Sequence, residues 1–160
     1  MEPLFTLRKP RLEDLDQVIY INQRCLPENY SSFFFTDLYM HFPETFFVAE
    51  KDGKIVGYIM CRIESGFSGL HLTKKGHIIS LAVLPEYRNM GIGYALVKEA
   101  LHAMWSHYNA KECYLEVRVS NIPAVNLYKK AGFTMEKTVK GYYADGENAY
   151  IMSRKLDFNG

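Results

Sequence analysis

Long apolar runs, paired cysteines and a strong net charge are all missing from this sequence. Its 160 residues carry a formal net charge of +1 and three cysteines, Cys25, Cys61 and Cys113. These cysteines are far apart and lack CxxC or Cys/His spacing, so neither a disulfide framework nor a zinc knuckle is indicated. The near-zero charge gives no long-range attraction to nucleic acid or to a membrane. We therefore expect buried thiols and neither of those partners.

The N-terminal segment and the apolar content add two further expectations. No apolar run approaches the ~20 residues that a bilayer crossing needs, and MEPLFTLRKP lacks the apolar block of a signal peptide. A cytoplasmic location is therefore expected. Apolar residues make up 48% of the chain, which is enough for one core, and the length favours a single domain over residues 1–160.

Apolar periodicity and turn residues predict the order β α α β β β α β α β β, which describes one mixed α/β domain. Asp52 and Gly53 predict a tight hairpin between two strands. The segment SGFSGLHLTKKG, residues 65–76, has the composition of a loop. On that reading His77 opens the next strand, HIISLAV.

A glycine-containing turn, RNMGIG at residues 88–93, follows that strand and precedes an amphipathic helix. Helix starts leave backbone amides unpaired and favour anions. Gly91 and Gly93 have no Cβ to keep a phosphate from those amides, and Arg88 can add a donor. The glycines are equally consistent with a tight turn and close packing. The spacing fits neither a Walker loop nor a dinucleotide motif, so the turn alone does not identify the anion.

Two motifs together resemble a known family. RNMGIG after LAV is similar to the [QR]xxGx[GA] signature of the GCN5-related N-acetyltransferases (GNAT), and NIPAVNLYKKAGF resembles that family's second signature. The resemblance implies a seven-stranded mixed sheet with about four helices, with acetyl-CoA as the acyl donor. It implies that the turn holds the pyrophosphate and that the second motif flanks the pantetheine and thiol. The cofactor-binding residues implied in this way are Leu81, Ala82, Val83, Arg88, Asn89, Met90, Gly91, Ile92, Gly93, Tyr94, Asn121, Ala124, Asn126, Tyr128, Lys129 and Lys130.

A narrower resemblance rests on LPENY, GHIISLAV, LEVRVSN and GYYADGENAYIM. These stretches resemble the catalytic subunits of the arrest-defective type of protein N-terminal acetyltransferase, particularly the archaeal stand-alone form. The implied substrates are the N-termini of nascent or completed proteins, with ribosome association possible. A ribosomal-protein alanine acetyltransferase, a GNAT enzyme acting on lysine or small amines, and a non-enzymatic acetyl-CoA-binding module remain as alternatives.

The same resemblance implies an acceptor site. Its substrate-binding residues are Glu28, Tyr30, Leu81, Tyr142 and Tyr143, with the tyrosine hydroxyls on two loops clamping a peptide backbone from opposite sides. Glu28 is placed at the mouth, where it can attract an α-ammonium group and repel acidic first residues, so small neutral or methionine-led termini are expected. By composition alone these residues are equally consistent with loop packing and a solvated acid.

A free α-amino group has a pKa of ~7.7 to 8.0, so a modest base is enough to deprotonate it. His77, with an ordinary pKa of ~6.5, is one candidate, and Glu116 on the polar face of its strand with Tyr114 and Arg118 is another.

If the two strands are neighbours, as the resemblance implies, His77 and Glu116 can share a water. Two ligands are too few for a dedicated zinc site, so no metal is expected. Glu28 is a third candidate for the base. Tyr128 is the implied proton donor to the leaving thiolate, although a tyrosine here is also consistent with packing of its helix on the sheet. A backbone amide around Leu81 to Val83 is the expected oxyanion donor. Direct transfer in a ternary complex is implied.

Overall fold

The computed structural model describes residues 4–158, apart from the side chain of Ser68. Within this range the chain forms seven strands, four α-helices and three short 3-10 helices, and the order of strands and α-helices is the predicted one. Their bounds are β1 Thr6–Arg8, α1 Leu15–Cys25, α2 Ser32–His41, β2 Phe47–Lys51, β3 Lys54–Ser68, β4 His71–Val83, α3 Ile92–Tyr108, β5 Glu112–Arg118, α4 Ile122–Lys130, β6 Thr134–Val139 and β7 Ala149–Lys155. The 3-10 helices are Leu12–Asp14, Pro43–Thr45 and Pro85–Tyr87.

The strands form one mixed sheet in the order β1-β2-β3-β4-β5-β7-β6. The one parallel pair among the described strands is β4 with β5, joined through α3. This pairing covers three positions, from Lys75 with Glu112 to His77 with Tyr114. Beyond His77 the two strands separate, because β4 stays with β3 while β5 stays with β7. A gap therefore opens in the middle of the sheet.

A bulge in β4 lies where this gap begins. Met60 of β3 pairs with Ser80, whereas the next residue, Cys61, pairs with Ile78, so Ile79 is the extra residue. A bulge of this kind bends its strand and increases the local twist. The bend accounts for the departure of β4 from β5.

Helix α3 packs closely on the sheet below the gap. Its buried face is the predicted one, with Leu96, Val97, Ala100, Leu101 and Met104 all inaccessible to solvent. A Cβ at Gly76 would lie 2.2 Å from Sδ of Met104, so glycine is needed there for the helix to approach. Burying each large side chain contributes about 1.5 to 3 kcal/mol. This packing holds β4, and thus one wall of the gap, in place.

The predicted loop at residues 65–76 is wrong. Strands β3 and β4 run through it as a two-stranded ribbon, with Phe67 opposite Leu72 and a turn at Gly69, where φ is +64°. Phe67 and Leu72 stay exposed, so no buried face reveals the strand period, and cross-strand pairing stabilises the ribbon instead. His77 consequently lies well inside β4 rather than at its start. No helix in residues 4–158 has the length and apolarity needed to span a membrane.

Candidate active site

The gap between β4 and β5 leads into a cleft of about 480 Å³. Its walls are the loop after α1 (residues 26–30), β4 at the bulge (79–81), the end of β5 (116–118), one side of α4 and the loop between β6 and β7 (142–144). The volume suits a small ligand or the end of an extended chain. Cys25, which belongs to neither sequence signature, also lines it.

Arg118 connects the two loops that form the outer walls. Its Nη2 and Nε donate to Oε1 of Glu28 at 2.6 and 2.9 Å. Its Nη1 donates to Asp145 and to Glu147, both at 2.8 Å, and the guanidinium lies 4.2 Å from the ring centroid of Tyr143. Hydrogen bonds to Glu147 and Glu28 raise the pKa of Arg118, so it stays charged. Sequence analysis placed Arg118 on the polar face of β5 but did not predict this link.

The link changes the expected role of Glu28. The carboxylate lies at the cleft, as the resemblance implies. One of its oxygens is nevertheless already paired with Arg118, which weakens its attraction for a substrate ammonium group. Three carboxylates, those of Glu28, Asp145 and Glu147, surround one guanidinium, so the mouth as a whole keeps an excess of negative charge.

The loop that carries Glu28 and Tyr30 is held from beneath by Asn22. The Asn22 amide nitrogen donates to the Glu28 carbonyl at 3.0 Å and to the Tyr58 hydroxyl at 3.2 Å, and its oxygen accepts from the Tyr30 amide at 3.3 Å. The Tyr58 hydroxyl lies 2.7 Å from Oγ of Ser80. Asn22 is fully buried, and a buried amide without partners costs about 1 to 3 kcal/mol, so this polar residue on the inner face of α1 fixes the loop.

The predicted clamp tyrosines all line the cleft, from both outer walls. The Tyr30 hydroxyl donates to the carbonyl of Ile79 at 3.4 Å, and its ring packs on Phe34 at 5.0 Å between centroids. The rings of Tyr142 and Tyr143 meet edge to face at 4.9 Å. Burial raises the pKa of all three phenols, so they remain protonated and able to donate hydrogen bonds.

His77 and Glu116 are in direct contact rather than bridged by a water. Nε2 of His77 lies 2.8 Å from Oε1 of Glu116, and Nδ1 lies 2.8 Å from Oε2 of Glu64. The imidazole stacks on the ring of Tyr114, with centroids 4.1 Å apart. Burial by itself lowers the pKa of His77, but hydrogen bonds and charge from Glu116 and then Glu64 outweigh it, so the pKa is raised. Glu116 lines the cleft and His77 lies behind it.

Glu64 is a member of this group that sequence analysis missed. Its carboxylate accepts from Nε of Arg62 at 2.7 Å and from the Tyr114 hydroxyl, in addition to its contact with His77. Burial raises its pKa, but the three hydrogen bonds overcome that effect and lower it to about 2. Glu64 lies on the same face of β3 as Arg62, and Arg62 pairs with His77. That register depends on the bulge, which no local pattern predicted.

The glycine turn lies at the start of α3. Asn89 and Gly91 are in the left-handed region, with φ of +64° and +84°, and α3 begins at Ile92. The first helical bond runs from the Ala95 amide to the Gly91 carbonyl at 3.0 Å. The earlier amides of the first turn have no acceptor within the helix, as at any helix start. Nε of Arg88 donates to the Val83 carbonyl at 2.9 Å, which holds its guanidinium beside the turn.

The two glycines of the turn serve different purposes. A Cβ at Gly91 would meet nothing within 4 Å, so it is the positive φ, and not a lack of space, that favours glycine there. A Cβ at Gly93, by contrast, would lie 2.9 Å from Cδ1 of Leu127. Leu127 lines the cleft, so Gly93 lets α4 approach α3 and form one cleft wall. The side chain of Asn121 caps α4 by accepting from the Ala124 amide at 3.3 Å. The close-packing reading of the turn therefore applies to Gly93.

The profile of the acetyltransferase (GNAT) family matches residues 15–133. The chain belongs to the GNAT family. An N-alpha-acetyltransferase of Sulfurisphaera tokodaii is 54% identical over 156 residues, which cover 95% of this chain and 93% of that relative.

Solved structures agree with the GNAT fold. Ard1 from Thermoplasma volcanium is 32% identical, with a TM-score of 0.82 and coverage of 97% of this chain and 99% of that one. Arabidopsis thaliana Naa50, in complex with the bisubstrate analogue CoA-Ac-MVNAL, is 31% identical, with a TM-score of 0.82 and coverage of 95% and 99%. The predicted seven-stranded mixed sheet with four helices is confirmed.

The remaining residues assigned from the GNAT signatures lie in different environments: some line the cleft, some are buried in the core and some are exposed. Leu81, Asn121, Ala124 and Tyr128 line the cleft. Ala82 and Ile92 are buried, Met90 packs against the core, and Nζ of Lys130 lies 4.5 Å from the ring centroid of Tyr94. Asn126 and Lys129 are exposed on α4 and do not line the cleft. The roles assigned to these residues remain predictions. In the described part of the chain, no group of three or more His, Cys, Asp or Glu side chains is arranged to hold a metal ion.

Proposed function

We propose that this chain transfers the acetyl group of acetyl-CoA to the α-amine at the N-terminus of proteins. The observation that carries the proposal is the cleft itself. One wall of the cleft is β4, which leads directly into the left-handed turn and the start of α3, and its outer walls are two loops joined through Arg118. The identity of 54% to an N-alpha-acetyltransferase supports the same conclusion.

Residues on the donor side suit acetyl-CoA. The first-turn amides of α3 and the guanidinium of Arg88 suit its pyrophosphate. Bound acetyl-CoA supplies the acetyl group as a reactive thioester. The carbonyls of Ile79 and Val83 turn away from β3 to bond Tyr30 and Arg88, so strand alternation directs the Leu81 amide into the same gap. There it can donate to the oxygen of the acetyl carbonyl.

Residues on the acceptor side suit a free chain end. The hydroxyls of Tyr30, Tyr142 and Tyr143 can hydrogen-bond a peptide backbone entering between the loops. The excess negative charge around Arg118 disfavours acidic first residues, so small neutral and methionine-led termini are the preferred substrates. Internal lysines are disfavoured because the linked loops narrow the approach. We propose that the protein acts in the cytoplasm on nascent or completed chains, including chains at the ribosome.

Proton handling falls to three side chains. Glu116 faces the cleft and accepts the proton that the α-ammonium must lose, with His77 behind it. Tyr128 is buried at the cleft, and burial raises its pKa, so the phenol stays protonated and able to donate to the departing sulfur. Transfer is direct within a ternary complex: the C–N bond forms as the C–S bond breaks. The nitrogen's second proton leaves after the attack and replaces the one that Tyr128 gives to the sulfur.

The proposal is tested with purified protein, acetyl-CoA and a peptide library, with products read by mass spectrometry. Ser-, Ala- and Met-initiated peptides should be acetylated at the first residue, and the same peptides with a blocked N-terminus and an internal lysine should not. Glu116→Gln should lower kcat/KM by roughly 10²- to 10⁴-fold, the usual contribution of a positioned base. Glu112→Gln, on the same strand beside Lys75, is the control and should retain activity.

Three outcomes would contradict this assignment. Acetylation of lysines or aminoglycosides with free peptide N-termini left unmodified would show that the acceptor is a different amine. Activity confined to a single alanine-led ribosomal protein terminus would favour the ribosomal-protein alanine acetyltransferases instead. Binding of acetyl-CoA without CoA release on any amine would indicate a binding module.

A further inference from the structure

Both ring nitrogens of His77 contact a carboxylate. These two contacts fix the number of protons that His77, Glu64 and Glu116 hold together. Nδ1 lies 2.8 Å from Glu64 and Nε2 lies 2.8 Å from Glu116. An ionised carboxylate only accepts hydrogen bonds, and a neutral imidazole has only one N–H. Both contacts are hydrogen bonds only if the three side chains share two protons. The resting group therefore holds one proton more than a neutral histidine between two carboxylates.

The position of the extra proton follows from the surroundings of Glu64. Arg62, Tyr114 and His77 all donate to its carboxylate, so Glu64 stays ionised and the first proton belongs to Nδ1. The second proton consequently lies between Nε2 and Glu116, the member that faces the cleft. A pair that already holds this proton cannot act as a base until it has released it.

We propose that Glu64 is a positioning residue which acts through His77 to hold the proton between His77 and Glu116, and so sets the pH at which Glu116 can deprotonate the substrate. This inference rests on the proposed acetyl transfer. The held proton first leaves to solvent, with Nδ1–H still donated to Glu64. The α-ammonium then gives one proton to the vacated position between Nε2 and Glu116, and the amine nitrogen keeps the electron pair with which it attacks. The pair returns to its resting protonation, and the acquired proton later leaves to solvent.

Several other groups contribute to the same equilibrium. The titratable and charged side chains that face His77 or Glu116 from β3, β5 and the two loops are Arg62, Glu64, Tyr114, Glu116, Tyr30, Tyr142 and Tyr143. Arg62 acts in the opposite sense to Glu64, because a cation nearby disfavours a charged imidazole. Tyr114 holds the ring flat by stacking and donates to Glu64, so it fixes the orientation of both partners.

The test is a titration of the His77 side-chain nitrogens by NMR on the free protein, together with kcat/KM against pH. Glu64→Gln keeps an acceptor for Nδ1–H and removes the charge. The His77 titration should move to lower pH by about one unit, and the acidic limb of kcat/KM should move with it. Arg62→Gln should move both in the opposite direction, and Glu64→Asp should return them toward the wild-type position. The peptide amine is the same in every experiment. A difference between variants in the acidic limb of kcat/KM therefore arises from the enzyme and not from the substrate.

Glu112→Gln, which removes a carboxylate beside Lys75, should leave both curves unchanged. A uniform loss of kcat/KM at every pH with His77 titrating as before would show that Glu64 is merely structural and overturn the proposal. A shifted His77 titration with an unmoved limb would overturn the part that assigns substrate deprotonation to this pair. The NMR titration needs no substrate. It therefore decides the effect of Glu64 on His77 even if no N-terminal amine is acetylated and the proposed function fails.

Discussion

The donor side and the acceptor side of the cleft are built in different ways. On the proposed donor side the candidate recognition groups are backbone amides at the start of α3, and the requirements fall on Gly91, Gly93 and their neighbours. On the acceptor side they are side chains from β5 and two distant loops, connected by Arg118. One side depends on local backbone conformation, and the other depends on tertiary contacts.

This difference determines how each side responds to substitution. A change at the turn alters the backbone itself, so it should affect the donor and leave the acceptor walls intact. A change at Arg118 releases two loops that are distant from it in sequence, since Glu28 is 90 residues and Glu147 is 29 residues away. It should affect peptide binding and leave the turn intact. Separate measurement of acetyl-CoA affinity and peptide KM therefore tests whether the two sides of the cleft act independently.

The largest effect is expected for Gly91→Val. Glycine at this position has φ of +84° with space around it, so valine is opposed by backbone strain and not by a clash. If the turn is forced out of shape, strain of about 1 to 3 kcal/mol corresponds to a rise in the acetyl-CoA Kd of about five- to 150-fold. Calorimetric titration with acetyl-CoA measures this change.

Gly53→Val is the matched control for that substitution. Gly53 also has a positive φ, +76°, and open space around it, but it lies in the β2–β3 hairpin. The Gly53→Val variant should lose about as much stability as Gly91→Val and keep the wild-type affinity for acetyl-CoA. An equal loss of affinity in both variants would mean that the turn at Gly91 has no special relation to the donor.

The same contrast explains what sequence could reveal. The strand, turn and helix around Gly91 follow one another in the chain, and the hairpin at Asp52 and Gly53 is equally local, so both were predicted correctly. The Glu64 contact required the register of β3 on β4 across a bulge. Arg118 reaches its partners only when the loop after β6 folds over the end of β5. Its position in the sequence therefore predicted a polar face of β5 but none of these contacts.

The exposed ribbon is a further example of what sequence could not reveal. Residues 65–76 carry glycines and lysines with apolar residues that bury no face, so no period distinguished a strand from a loop. Asn22 did give a usable signal, because a polar residue on the inner face of α1 must find partners when buried. Its partners, the Glu28 carbonyl and Tyr58, depend on tertiary packing.

Arg118→Gln should have the next largest effect. The substitution removes the charge-assisted hydrogen bonds to Glu28, Asp145 and Glu147 and frees the two loops. Peptide KM should rise about tenfold, since bound peptide must then order those loops, with the acetyl-CoA Kd unchanged. Steady-state kinetics with a Ser-initiated peptide measures KM.

Arg8→Gln provides the comparison for Arg118. Arg8 bridges Asp14 and Glu50 at 2.7 Å each and is similarly sheltered, but it lies at the β1 edge of the sheet. It should lower the melting temperature without changing peptide KM. If Arg118→Gln also lowered only the melting temperature, the acceptor walls would not depend on their connection.

Tyr30→Phe should produce a smaller change on the acceptor side. Its hydroxyl makes one long hydrogen bond, 3.4 Å to the Ile79 carbonyl, and otherwise faces the cleft, while the ring keeps its packing on Phe34. We expect a rise of about threefold in peptide KM, equivalent to loss of one modest hydrogen bond. Tyr108→Phe loses a hydroxyl that accepts from the Glu44 amide, also at 3.4 Å, outside the cleft. An equal KM for both variants would exclude a peptide contact by Tyr30.

The smallest expected effect is the change in thermal stability caused by His77→Gln. This change should depend on pH, whereas a substitution in the turn at Gly91 should not show that dependence. The pKa of His77 is raised in the folded state, so its ion pairs stabilise the fold fully below its ordinary pKa of ~6.5. That contribution is lost as pH rises through the folded value. The difference in melting temperature between wild type and His77→Gln should therefore be largest near pH 6, about 1 to 3 °C, and shrink toward pH 9. Gly91→Ala should differ from wild type by a constant amount over the same range, because no charge changes there. A His77→Gln difference that grew with pH would mean that the imidazole is neutral in the fold, and that Glu64 and Glu116 do not hold it as a cation.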